Sequence, residues 1–188
     1  MRIIGGHARG RHLRAPRGDA TRPTSDMVRE ALFNMLGEVD GLRVLDLFAG
    51  TGALAFEAIS RGAAHAILVE KSPAALRAIE ANAATLGFEE RVRVMRLDVT
   101  KALKLLAKEE ARFHLVFLDP PYGAPAGSEA LRMVAQGDIL QAGAIVVMEH
   151  DIDTRPPEAL GCLQLFKRRK YGRTELSLYT LDKQGALS

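Results

Sequence analysis

Asp119-Pro120-Pro121-Tyr122 sets a carboxylate, a stiff backbone and an aromatic ring side by side, directly after the apolar run Leu115-Val116-Phe117-Leu118. A strand that ends this abruptly is a candidate for chemistry. Each proline fixes φ, carries no N–H and biases the residue before it away from helix. The backbone is therefore rigid where a loop is ordinarily mobile. The Asp119 carboxylate and the Pro120 carbonyl accept N–H bonds, and Tyr122 offers a stacking face. Together they suit a flat amine. The plainer alternative is a strand that closes in a Pro-Pro turn.

Such a receptor needs a frame. From residue 42 the chain alternates apolar runs with helical spacing. Strands are predicted at 43–47, 66–70, 92–97, 114–118 and 144–149, and helices at about 53–61, 72–86, 99–110 and 128–136. Repeated strand–helix units imply a parallel sheet covered on both faces. After Pro156-Pro157 the period changes. Segments 163–169 and 174–180, joined at Tyr171-Gly172, predict an antiparallel hairpin. Residues 1–24 read as a β-rich arm with turns at Gly5-Gly6 and Arg17-Gly18-Asp19. Thr24 or Ser25 would cap a helix running to about residue 36, with Val28, Ala31, Leu32 and Met35 as its core stripe.

In open α/β sheets ligands sit beyond the carboxyl ends of the strands. Each of the first four strands ends at, or is followed by, an acid: Asp46, Glu70, Asp98 and Asp119. The first leads into Asp46-Leu47-Phe48-Ala49-Gly50-Thr51-Gly52, where glycines allow a tight turn and close backbone approach. Gly50-x-Gly52-x-x-Ala55 with Glu70 eighteen residues past Gly52 also satisfies the dinucleotide fingerprint. Asp46 tilts the choice, since it repels a pyrophosphate and suits an ammonium. Glu70 suits a ribose diol. Asp98 suits an adenine amino group, or serves as the N-cap of the third of these helices.

Composition excludes several classes. Of 188 residues, 47% are hydrophobic and 26% charged, as in an ordinary globular domain. No apolar run is long enough to span a bilayer, and Met1-Arg2-Ile3-Ile4-Gly5-Gly6 has no signal-peptide core. The single cysteine, Cys162, rules out an internal disulfide and a four-thiolate metal site. The five histidines are scattered, and no metal is expected. A cytoplasmic protein follows. Residues 1–29 hold seven arginines against Asp19 and Asp26, a net of +5, so the remainder sums to −2 of the total +3. Arginine grips phosphates and base planes with a planar fork. The Lys167-Arg168-Arg169-Lys170 run is either a second phosphate contact or a solvated edge strand that discourages aggregation.

Taken together, these residues resemble the bacterial small-subunit ribosomal RNA guanine-N2 methyltransferases of the RsmD type. The likeness runs through Arg2-Ile3-Ile4-Gly5-Gly6, Arg9-Gly10-Arg11, Arg22-Pro23-Thr24-Ser25-Asp26, Val28-Arg29-Glu30-Ala31-Leu32-Phe33-Asn34, residues 44–54, Ser60-Arg61-Gly62-Ala63 and Val69-Glu70. It also includes Tyr171-Gly172-Arg173-Thr174. The Asp119 tetrapeptide matches the Asp/Asn-Pro-Pro-Tyr/Phe motif of enzymes that methylate exocyclic amines. Departures are small: Thr51 where Ser is usual, Met27 where a basic residue is common, and Phe56 after Ala55.

The resemblance implies a Rossmann-like class I methyltransferase fold, a mostly parallel seven-stranded sheet with a C-terminal antiparallel hairpin. It implies an RNA-binding arm at 1–24 and a methyltransferase domain at 25–188. S-adenosylmethionine would be held by Asp46, Phe48, Ala49, Gly50, Thr51, Gly52, Glu70, Lys71, Asp98, Val99 and Asp119. Asp119, Pro120, Pro121 and Tyr122 would present the guanine amine, and Arg9, Arg11, Arg22, Thr24 and Arg29 would meet 16S ribosomal RNA, naked or in a small subunit. A monomer is the default. The rivals are a DNA adenine or cytosine amino-methyltransferase, which normally carries a separate recognition domain, and a nicotinamide oxidoreductase, which leaves the Asp119 tetrapeptide unexplained. A non-catalytic RNA-binding module leaves the four strand-end acids unexplained.

Overall fold

The computed structural model describes residues 1–16, 26–121 and 125–181. It divides into two compact units, Met1–Asp98 and Val99–Ser188.

The first unit contains α1 (Asp26–Leu36), β1 (Arg43–Asp46), α2 (Ala53–Ser60), β2 (His65–Val69), α3 (Pro73–Leu86) and β3 (Val92–Met95). The strands lie in the order β3-β2-β1, all parallel, with Asp46 beside Leu68 and Val69 beside Met95. Val44, Leu45, Ala66, Leu68 and Val69 are buried on both faces of the sheet, as continuous apolar runs predict. α3 begins and ends where its sequence dictates. Ser72 caps it by accepting the Ala75 N–H, Pro73 stands in its first turn, and Gly87 closes it at φ 73°.

α2 is buried on every side from Leu54 to Ser60. One flank is covered by residues 1–13, which are docked on it through polar groups. Glu57, fully buried, accepts the N–H groups of Ile4 and Gly5 at 2.7 Å each and the Arg61 Nε at 2.7 Å. Ser60 Oγ accepts the Ala8 N–H (2.9 Å) and donates to the Gly5 carbonyl (2.6 Å). The Ser60 carbonyl accepts the His7 N–H at 2.9 Å. The arm is less β-rich than its sequence predicts. In residues 1–16 there is one bridge, Arg2 to His12, with bends and turns over residues 5–10 and irregular backbone elsewhere. Docking on α2 supplies the partners of the Ile4, Gly5, His7 and Ala8 N–H groups, while Ile3 and Leu13 donate within the arm to the Arg11 and Met1 carbonyls. The expected Arg17-Gly18-Asp19 turn and the Thr24 or Ser25 cap lie outside the described residues.

The second unit contains α4 (Val99–Lys108), β4 (Phe113–Leu118), α5 (Ala126–Gln136), β5 (Leu140–Asp151), β6 (Ala159–Leu160), β7 (Leu163–Tyr171) and β8 (Thr174–Leu181). Its strand order is β4-β5-β8-β7-β6. β4 and β5 are parallel, and the remaining pairs are antiparallel. Gly172, at φ 63°, takes the left-handed conformation of a two-residue hairpin turn. The described residues hold eight strands, not the seven expected. The extra one, β6, has two residues and is too short to show any period. β5 starts four residues earlier than predicted because its Gln141-Ala142-Gly143 lead-in is exposed and lacks an apolar pattern.

Glu57→Ala should strip the arm of its anchor and leave the Arg29 guanidinium buried beside an empty position. Breaking a buried ion pair from one side costs about 3–5 kcal/mol. Urea denaturation of the variant should show a loss of that order, and a loss below about 1 kcal/mol would contradict the anchoring role.

Candidate functional site

Parallel strands deliver the functional groups of the first unit to one edge. Asp46, the last residue of β1, is 1% exposed. Burial lifts its carboxyl to about 7; the Phe48 N–H opposes this, the Glu70 charge adds to it, and the Ala55 N–H opposes it again. Its Oδ1 is buried and meets no hydrogen-bond donor among the described residues. A lone oxygen in a dry site is costly unless a donor arrives, and an ammonium group is the natural one. Beyond Asp46 the chain turns through Phe48 and Ala49 to Gly50 (φ 54°), Thr51 and Gly52 (φ 81°). A side chain at Gly52 would collide with Phe56, while Gly50 faces open space.

Glu70 follows β2 and ties the turn to the neighbouring strand end. Its Oε2 accepts the Gly50 N–H at 2.9 Å, and its Oε1 accepts the N–H groups of Lys71 and Ser72 at 2.8 Å each. Lys71 is exposed beside it. Asp98 is exposed at the residue before α4, and Val99 opens that helix. Of the expected cofactor residues in this unit, the structure brings Asp46, Gly50, Glu70 and Lys71 together through these contacts.

Sequence reading missed Asn82. It is 1% exposed on α3 and bridges two segments. Its Oδ1 accepts the Arg14 N–H at 2.7 Å, and its Nδ2 donates to the carbonyls of Arg14 and Thr51 at 3.0 Å each. An asparagine inside an apolar helix pattern was the available signal. Such a residue, once buried, must find partners.

In the second unit Asp119 follows β4 and is half-buried with Pro120, while Pro121 is exposed. Tyr122 lies outside the described residues. Pro120 is held in place by α5. A Cβ on Gly127 would come within 2.5 Å of Pro120 Cγ and 3.2 Å of Met148 Cε, so only glycine lets the helix approach this closely. Sequence reading passed over Gly127 because one glycine near a helix start has several ordinary roles.

The arginines expected to face RNA separate. Arg9 and Arg11 are exposed, and Arg11 also donates to the Thr85 carbonyl. Arg22 and Thr24 lie outside the described residues. Arg29 requires correction. It is fully buried and turned inward, donating to the Arg2 carbonyl and pairing with Asp26 at 3.0 Å. Its Nε lies 3.7 Å from Glu57. A guanidinium so placed holds the arm to the core and has no surface to offer a phosphate.

Comparison with known proteins gives this arrangement its class. The solved structure of yhhF from Escherichia coli matches with a TM-score of 0.84 at 34% identity, covering 97% of this chain and 98% of that one. The fold is that of the Rossmann-like methyltransferases. The chain belongs to the family described as Conserved hypothetical protein 95, whose model matches residues 1–180. The Escherichia coli relative named Ribosomal RNA small subunit methyltransferase D is 34% identical over 186 residues, 98% of this chain and 92% of its own. The Bacillus subtilis protein YlbH is 40% identical over 180 residues, 95% of this chain and 98% of its own.

The Asp46 carboxyl predicts a pH signature. Its folded pKa of about 7 stands above the ordinary value of 3.8. Between those values the unfolded chain releases a proton that the folded chain keeps, so stability falls as pH rises and levels off above about 7. Asp46→Asn removes the titration. Unfolding free energies measured from pH 4 to pH 8 should decline less steeply in the variant, by up to about 4 kcal/mol across the range. Superimposable pH profiles would show that Asp46 ionises normally.

Proposed function

We propose that the protein transfers a methyl group from S-adenosylmethionine to the exocyclic N2 of a guanine in small-subunit ribosomal RNA. The observation that carries this reading is the stiff Asp119-Pro120 pair at the carboxyl end of β4, packed against Gly127. When bound, S-adenosylmethionine supplies an electrophilic methyl group. Asp46 would hold its ammonium, Glu70 its ribose diol and Asp98 its adenine amino group. The buried, unpartnered Asp46 Oδ1 supports the first of these. Phe48, Ala49, Gly50, Thr51, Gly52, Lys71 and Val99 would line the remainder.

The guanine amine is a poor nucleophile because its lone pair is delocalised into the ring. Asp119 and the Pro120 carbonyl would each accept one of its N–H bonds and aim the lone pair at the methyl group. Asp119 would take the proton late. Tyr122 would stack on the base. Orientation of this kind supplies most of the acceleration in a displacement between two held groups. The base must leave its stack to reach such a receptor. Phosphate contacts by Arg9 and Arg11, with Arg22 and Thr24, would position the RNA. The protein would act as a monomer in the cytoplasm, on free RNA or on a small subunit.

Labelled S-adenosylmethionine offered with free small-subunit RNA, assembled small subunits and duplex DNA tests the reading, followed by mapping of the labelled base. Label on a guanine N2 is the expected result. Label confined to DNA would overturn it. Under single turnover, Asp119→Ala should abolish transfer with the fold intact. Asp119→Asn should be milder, since an amide oxygen still accepts an N–H bond. A rate for Asp119→Ala near that of the wild type would reduce Asp119 to a turn residue.

Replacing Arg9 and Arg11 with Ala should weaken RNA binding and flatten its salt dependence by roughly 0.7–0.9 for each phosphate no longer neutralised. Cofactor affinity should hold. Affinity across a salt series is the measurement, and parallel lines at equal affinity would make the exposed part of the arm a solvated surface.

A further inference from the structure

We propose that the edge strand β7, from Phe166 to Lys170, is a second RNA-binding surface that holds the strand flanking the modified nucleotide. The inference rests on the reading of the substrate as RNA. Direction and register support it. β5 runs parallel to β4, β8 antiparallel to β5, and β7 antiparallel to β8. β7 therefore runs the same way as β4, and both finish at one edge of this unit's sheet. Leu118 pairs with Met148, Met148 with Ser177, and Ser177 with Arg168. Asp119 is one residue past that row, and so is Arg169. Lys170 lies one step further. Three strand spacings of about 4.8 Å separate β4 from β7, roughly 14 Å in all. That span suits an RNA strand whose target base reaches Asp119 while its neighbours lie on β7.

Charge singles out the same residues. Most cations at this end of the sheet are already neutralised. Arg173 pairs with Asp151 and Asp153, Arg155 with Glu175, and Arg168 with Glu158 and the Pro156 carbonyl. Lys167, Arg169 and Lys170 have no acidic partner within ion-pair distance among the described residues. Arg169 donates to the Arg168 carbonyl, at 3.0 Å. Cross-strand pairing puts Lys167 and Arg169 on the face of Leu178 and Leu176, and Lys170 on the face of Glu175. The three cations thus straddle the strand. β6 pairs only with Leu163 and Gln164, so among the described residues no strand covers the edge of β7 away from β8 beyond that point. A polyanion lying along this edge meets positive charge from both sides.

Phe166 adds a recognition element that simple edge protection does not need. The β7–β8 register shifts between Leu165 and Lys167, which leaves Phe166 without a cross-strand partner. Its side chain is 50% exposed. An exposed ring next to cations is the pairing used to stack bases of single-stranded nucleic acid.

The test compares wild type, the triple variant Lys167→Gln, Arg169→Gln and Lys170→Gln, and Phe166→Ala with Phe166→Tyr as its conservative counterpart. RNA affinity is read across a salt series, KM and kcat with small-subunit RNA, and cofactor affinity by calorimetry. The triple variant should flatten the salt dependence by roughly 0.7–0.9 for each phosphate no longer neutralised, and raise KM for RNA with kcat and cofactor affinity unchanged. Phe166→Ala should lower RNA affinity roughly five- to a hundredfold without changing the salt slope, and Phe166→Tyr should restore it. Variant lines that superimpose on an active wild type would make β7 a charged edge that only prevents aggregation, and would leave the proposed methyl transfer standing. Failure of the wild type to methylate any small-subunit RNA would overturn both.

Discussion

A carboxylate inside an apolar helix must be surrounded by donors, and Glu57 gathers them from three directions. The backbone of Ile4 and Gly5, the Arg61 side chain on the next turn and the buried Arg29 all converge on it. This one group explains why a basic N-terminal segment is folded down on the first unit. It also explains why α2 is buried on every side despite carrying a charge. The opposite end of α2 opens from the glycine turn that follows Asp46. Glu57 stands five residues past Gly52, so about 7.5 Å of helix separates the anchor of the arm from the turn expected to receive the cofactor.

A second link joins the same two places. Asn82 takes both backbone groups of Arg14 and the carbonyl of Thr51. The arm is thus tied to α2 by Glu57 and Ser60, and to the glycine turn by Asn82 on α3. The turn expected to receive the cofactor and the basic N-terminal segment are parts of one packed unit.

Much of this was legible in the sequence because it is written in local chemistry. The strand–helix alternation, the glycine turn, the strand-end acids and the hairpin turn at Gly172 each depend on a few neighbouring residues. What escaped depends on residues far apart. Arg29 reads as one more arginine in a basic arm until Glu57, twenty-eight positions on, is seen to need it. Gly127 gains its meaning only from Pro120 packed against it, and Asn82 from Arg14 and Thr51. β6 escaped for a different reason, because two residues cannot display an alternation. The candidate site was therefore readable in its reactive groups and unreadable in the groups that hold them still.

Apart from the Arg29 bond to the Arg2 carbonyl, which spans 27 residues, the bonds that fasten the arm span 52 to 74 residues. Closing loops of that size adds little to the equilibrium cost, since the entropy grows only with the logarithm of length. The consequence falls on the order of folding, because contacts of long sequence separation form slowly. During synthesis the arm emerges more than fifty residues before Glu57 and nearly seventy before Asn82. Until α2 and α3 have both been made, the cationic segment lacks part or all of the partners that dock it. The arm, the first segment to be made, has to wait for α2 and α3 before it can dock.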